Sequence, residues 1–266
     1  MSKHFPEPSA SPSSTPSRFK EIETHPYYRA LIDKALVPVM QAKKEADGEK
    51  KDFIPTQLQK YNIEVFFRSA TLFEAVKRLD DIPYFLMNNP QFANMAKHGV
   101  TPEDWFVYHY ANYRVIATGI YDTALIAVNF LLRIDLPAKK CNNETIRKNP
   151  NVCEKKIDIL LRELERALEC YREERNLYVH RSERPEIKFV DQLKGYRFLK
   201  EAKDKGVYKG QLPDQTVVNA LFLEQRNIKQ RELKAETNII CSAILSLLDI
   251  WLPVYLATLD TFEQAA

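Results

Sequence analysis

Apolar residues recur at threes and fours along nearly the whole of this 266-residue chain, and runs in which apolar and polar residues alternate are few. A helix buries a stripe at a period near 3.6 and a strand at a period of 2, so this spacing holds the chain to helices. Composition agrees: 6 glycines, poor helix formers, stand against 28% charged residues. The expected fold class is all-α, a multi-helix bundle of long antiparallel helices with an N-terminal helical extension.

Three segments are expected. Residues 1–20 are a disordered tail, because Pro6, Pro8, Pro12 and Pro16 among serines cannot bury enough apolar surface to offset the entropy of ordering. Residues 21–100 form the extension. In it a helix starts after Thr24 as N-cap and is kinked at Pro38, a second runs from Pro55 to Leu79, and a short third spans Ile82 to Met95. Residues 101–266 form the bundle. Thr101-Pro102-Glu103-Asp104 carries an N-cap, a proline at the first helical position and two acids suited to the helix dipole, and its helix should reach about Ile134. On that helix Arg114, Thr118, Asp122 and Asn129 make a polar stripe, read either as a solvated face or as a face whose Arg114 and Asp122 orient a neighbouring site. A basic loop with Lys139, Lys140, Arg147 and Lys148 follows, then one long helix from Asn151.

That helix carries Leu161, Leu164, Leu168 and Tyr171 on one side, and the same spacing runs on to Arg175 and Tyr178. An arginine on the extension of an apolar stripe is costly unless it is paired or faces a cleft. No acid lies three or four residues from Arg175. One turn apart stand Asn176 and His180, and Pro185 should end the helix just beyond them. Within two turns the segment offers a permanent cation, an amide and an imidazole, which are sufficient parts for handling a phosphodiester. A straight helix would not turn all three toward one ligand, so unwinding after His180 is expected to help.

Arginine, then asparagine, then three residues and a histidine, at a helix end in an all-helical chain, resembles the HEPN superfamily. The likeness rests on Arg175, Asn176 and His180 and on the helical layout over about residues 101–260. It implies a metal-independent endoribonuclease, a toxin or defence protein in many members, in which a homodimer brings two motifs to one cleft. In that chemistry the 2′-hydroxyl attacks the adjacent phosphorus and leaves a 2′,3′-cyclic phosphate. His180 would take the proton, Arg175 would stabilise the charge building on the phosphoryl oxygens, and Asn176 would hold the histidine or the phosphate. A second imidazole, from the partner, would protonate the leaving 5′-oxygen. Ser182 stands where some antitoxin-paired members carry tyrosine, which removes regulation by modification of that residue.

A formal charge of +3 does not by itself indicate nucleic-acid binding, so any RNA surface must be a local patch. Four cysteines without pairing or histidines at ligand spacing suggest reduced thiols, with no metal and no cofactor. The one run of membrane length is Ile239–Leu259, and Asp249 and Pro253 within it favour a bundle helix buried on most sides of a cytoplasmic protein. RNA, a second copy of the chain, and an antitoxin or other protein are the expected partners, with no membrane. The competing readings are a non-catalytic helical module that binds RNA, nucleotide or protein through the same cleft, and a purely structural bundle.

Overall fold

The computed structural model describes residues 18–87, 95, 97–181 and 187–264; the chain is all-α, with no strand among the described residues. In order come α1 (Phe19–Thr24), α2 (Pro26–Ala30), a π-helical stretch (Leu31–Leu36) and α3 (Val37–Gly48). Then follow α4 (Gln57–Met87), α5 (Pro102–Leu131), α6 (Pro150–Glu154) and α7 (Ile157–Glu169). The chain finishes with α8 (Arg172–Arg181), α9 (Lys188–Asp204) and α10 (Gln215–Gln264). Residues 1–17, most of the segment expected to close the third short helix, and Ser182 and Pro185 lie outside the described residues.

Prolines shape the first half. Pro38 has no N–H for the Lys34 carbonyl one turn back, and the π-helical stretch lies just before it. Asn62 of α4 supplies the missing donor, with its Nδ2 3.1 Å from Lys34 O, while its Oδ1 accepts from Tyr255 of α10 at 2.9 Å. One buried amide therefore joins three segments. The helix break expected between Leu79 and Ile82 does not occur, because α4 continues through Pro83. Carbonyls near its end find side-chain donors: Trp105 Nε1 to Phe85 O at 3.0 Å, Gln230 to Pro83 O at 3.0 Å, and Arg226 to Leu86 O. The first N-cap also differs from expectation. Thr24 closes α1, and His25 caps α2 by accepting from Tyr27 N, which leaves its Nε2 to donate to Asp249 of α10 at 3.1 Å.

The start expected at Thr101 is present as a reciprocal capping box with Asp104. The helix ends at Leu131 rather than Ile134, where Arg133 turns left-handed (φ 52°) and Ile134 N reaches back to Asn129 O. The fully buried Asn129 side chain then holds Leu136 through both its N–H and its C=O, launching the loop to α6. The polar stripe of α5 is thus not a solvated face: Arg114 and Asn129 are buried, and Asp122 is exposed.

Helices α4 and α5 form the most extensively packed pair, and α10 lies against α4 and α7. A single hydrophobic core, with Tyr27, Phe106, Tyr113, Trp251 and Tyr255 among its largest members, runs across the boundary expected at residue 101. In α10 only one stripe is buried, including Ile240, Ile244, Leu247, Trp251 and Tyr255; Ser242, Ser246, Asp249 and Pro253 are exposed, which corrects the expectation of burial on most sides. Two helices, Pro102–Leu131 as well as Gln215–Gln264, are long and apolar enough to span a bilayer, one more than the sequence suggested.

Candidate functional site

The single long helix expected from Asn151 is three. Lys156 is left-handed (φ 57°) between α6 and α7, and a turn at Cys170–Tyr171 separates α7 from α8. At that turn Tyr171 N bonds to Leu168 O, three residues back, and the Tyr171 ring enters the core edge-on to Tyr113. The motif therefore rides on a short separate helix whose direction is set by its contacts with α5.

Arg114 makes those contacts. Its guanidinium is buried, 4.4 Å from the Tyr171 ring centroid and 4.7 Å from that of Tyr110. It donates to Tyr110 Oη at 2.6 Å and to Glu236 of α10 at 3.2 Å. Its Nε lies 3.1 Å from Glu174 of α8, a charge contact lacking the alignment of a hydrogen bond. Burial alone would push the guanidinium pKa down, but Tyr110, Glu236 and Glu174 more than offset this, and it is raised. Arg114 thus holds α8 by the residue next to Arg175, and it touches neither Arg175 nor His180. Tyr110 four residues before Arg114 was the local signal for this node; Glu174 and Glu236 were invisible at that range.

On the other side of α8 a groove of about 440 Å³ is lined by Arg172, Arg175 and Asn176, by Thr118, Tyr121 and Asp122 of α5, and by the Asn142–Glu144 turn. Arg175 Nη1 is 3.4 Å from Asn176 Oδ1, and its buried Nε has no hydrogen-bond partner. No acid pairs with it among the described residues, as its sequence neighbours suggested. Asp122 shares the groove, with no hydrogen bond or ion pair to Arg175 or His180 among the described residues.

The groove's far wall is fixed by Glu165 of α7. It accepts from Asn143 Nδ2 at 2.7 Å, from Arg172 at 3.1 Å and from Arg147. Burial would raise its pKa; those three donors outweigh burial and hold it below the usual glutamate value. Tyr121 Oη donates to Asn143 Oδ1, and Arg172 lies 5.8 Å from the Tyr121 ring centroid. Of the basic loop, Arg147 and Lys148 are taken up by Glu165 and Glu144, while Lys139 and Lys140 are exposed. Glu165, Asn143, Tyr121 and Arg172 were missed, because each looks like an ordinary surface or core residue until the chain is folded.

His180 does not line this groove. It stays helical, exposed in the last turn of α8, with no hydrogen bond or ion pair among the described residues. Helix α8 runs to Arg181, and the rest of the stretch in which its end was expected lies outside the described residues; the motif's three side chains are divided, with Arg175 and Asn176 facing the groove and the imidazole standing clear of it. Leu177 and Val179 beside it are 39% and 45% exposed.

No curated protein and no solved structure matches the chain significantly. The model of the HEPN_Cthe2314-like HEPN family matches residues 27–198. That span begins inside the segment read as an extension, covers α4, α5 and the whole motif helix, and stops before α10. A match over more than half of the chain, together with the all-α bundle, settles membership: the chain belongs to the HEPN_Cthe2314-like family of the HEPN superfamily.

Proposed function

We propose that this protein is a metal-independent endoribonuclease of HEPN type that cleaves RNA by attack of the 2′-hydroxyl on the adjacent phosphorus. The observation that carries the reading is Arg175: a guanidinium in a groove beside Asn176, its Nε buried, with no hydrogen-bond partner for that Nε and no carboxylate bound to the group among the described residues. A half-buried cation left open at a cleft favours an anionic ligand, and the planar guanidinium fork matches phosphoryl oxygens. In this reading Arg175 stabilises charge developing on phosphorus, Asn176 orients the phosphate, and His180 moves the proton. One chain offers one such histidine, and it stands outside the groove. A homodimer joined along α8, where Leu177 and Val179 expose apolar surface, brings two imidazoles to one cleft as base and acid. A cytoplasmic place, and a toxin or defence role with an antitoxin as partner, rest on the family resemblance.

The position of His180 also favours a second reading, a non-catalytic module that binds RNA through Arg175. Purified protein incubated with total RNA in EDTA separates the two. The proposal expects 2′,3′-cyclic phosphate and 5′-hydroxyl ends, with cleavage lowered by roughly 10²-fold or more in His180→Ala and in Arg175→Ala, less in Asn176→Ala, and not fully restored by Arg175→Lys. Full activity in His180→Ala, or products with 5′-phosphate ends, would contradict it.

A further inference from the structure

A second cavity, of about 630 Å³, lies between α9 and the first half of α10, away from the motif groove. Its walls are mainly aliphatic and aromatic, with Leu193, Val218, Leu221, Phe222 and Ile228 among them and Tyr110 beside them. Leu221 is 54% exposed although it lines the cavity, so apolar surface is open to the outside here. On α9 the lining residues Lys188, Gln192 and Tyr196 succeed one another at intervals of four, and Lys200 stands one turn past Tyr196, where both bond to Gln215 at the end of the groove. The twelve helical steps from Lys188 to Lys200 span about 18 Å, a little over three turns, and the facing wall from Val218 to Glu232 is longer still.

Charge along α9 and the segment after it is net positive. The segment 188–209 holds seven lysines and arginines against three acids, a formal +4, more than the +3 of the entire chain. Lys194 and Arg197 are taken up by Asp104 and Glu103 of α5, away from the groove. Lys188 has no ion pair among the described residues, and Lys200 bonds only to the neutral Gln215 at 2.8 Å. Glu232, the acid in the lining, is already paired with Lys229 at 2.5 Å.

We propose that this groove docks an amphipathic helix of an acidic partner protein, with its apolar face on the aliphatic floor and its flanking carboxylates toward Lys188, Lys200 and the lysines beyond. A three-turn groove with an apolar floor takes anchors spaced i, i+3, i+4 and i+7, and a lysine rim selects for acidic flanks. RNA fits less well, because an aliphatic floor offers nothing to phosphates. A second copy of the chain docking by the same groove would set lysine against lysine. The proposal does not depend on RNA cleavage, and its test reads binding alone.

The full-length protein is titrated into a fluorescein-labelled designed helix of about five turns, with leucines at that spacing and glutamates on both flanks, and anisotropy is followed. The expected result is saturable binding in the micromolar range, weakened about tenfold or more by Leu221→Glu and by Lys188→Glu, and at least as much weaker for a lysine-flanked version of the peptide. Both side chains are exposed, so both variants should keep the parent's thermal unfolding curve. Four results would overturn the proposal: no saturation below about 1 mM; equal binding of the lysine-flanked peptide; oligouridylate binding that the same two variants abolish; or conversion of a dimer to a monomer by Leu221→Glu.

Discussion

Single side chains that serve several partners fix much of this molecule. Asn62 both replaces the N–H that Pro38 lacks and receives Tyr255, so truncating it strands a part-buried carbonyl and a buried hydroxyl together. Asn62→Ala is expected to lower the unfolding free energy by about 2 kcal/mol or more, read from denaturant midpoints; a loss below about 0.5 kcal/mol would contradict the assignment. Pro38 could be seen in the sequence as a kink, but the residue that satisfies its consequence lies 24 positions further on. The same holds at the motif. Arg175 and Asn176 were legible because the cost of a charge on an apolar stripe is local. The partners of Arg114 were not, since Glu174 and Glu236 reach it only through the packing of α5, α8 and α10.

At the scale of elements, capping chemistry was readable at Thr101, where donor and acceptor lie three residues apart, and unreadable at the breaks inside the expected motif helix. The turn at Tyr171 answers to the edge-on packing of its ring on Tyr113, which outweighs local helical preference, and no residue type at Lys156 marks its left-handed break. The wall made by α7 and the π-helical stretch Asn143–Arg147 depends on Glu165 being ionised. Because its folded pKa is depressed, its stabilisation is complete above the ordinary glutamate range and is lost as pH falls through the folded value. Unfolding midpoints should therefore drop from about pH 4.5 downward more steeply in the parent than in Glu165→Gln, which should be the less stable at neutral pH. Parallel pH profiles for the two proteins would remove Glu165 as the linchpin of that wall.

For the whole molecule, fold class was legible because the helical period repeats through nearly every segment. Pro185 made the end of α8 near Arg181 legible, but the groove that takes Arg175 and Asn176 and leaves out His180 was not, because its walls come from α5 and the 142–144 segment. The two membrane-length helices place Phe106, Tyr113, Leu247 and Trp251 in a shared core, and the open face of α10 carries Asp249 bound to His25. The protein should accordingly remain in the supernatant without detergent, and retention in membranes after high-salt and carbonate washing would count against the bundle reading of α10. The central claim is that cleavage needs the motifs of two chains, with one His180 as base and the other as acid. Wild-type and His180→Ala chains co-refolded in equal amounts, at fixed total protein, test it most directly. If only dimers with two histidines cut RNA, activity should fall to about one quarter of the wild-type value, the fraction of purely wild-type pairs under random assembly. Activity near one half would mean that each chain works alone and would contradict the account.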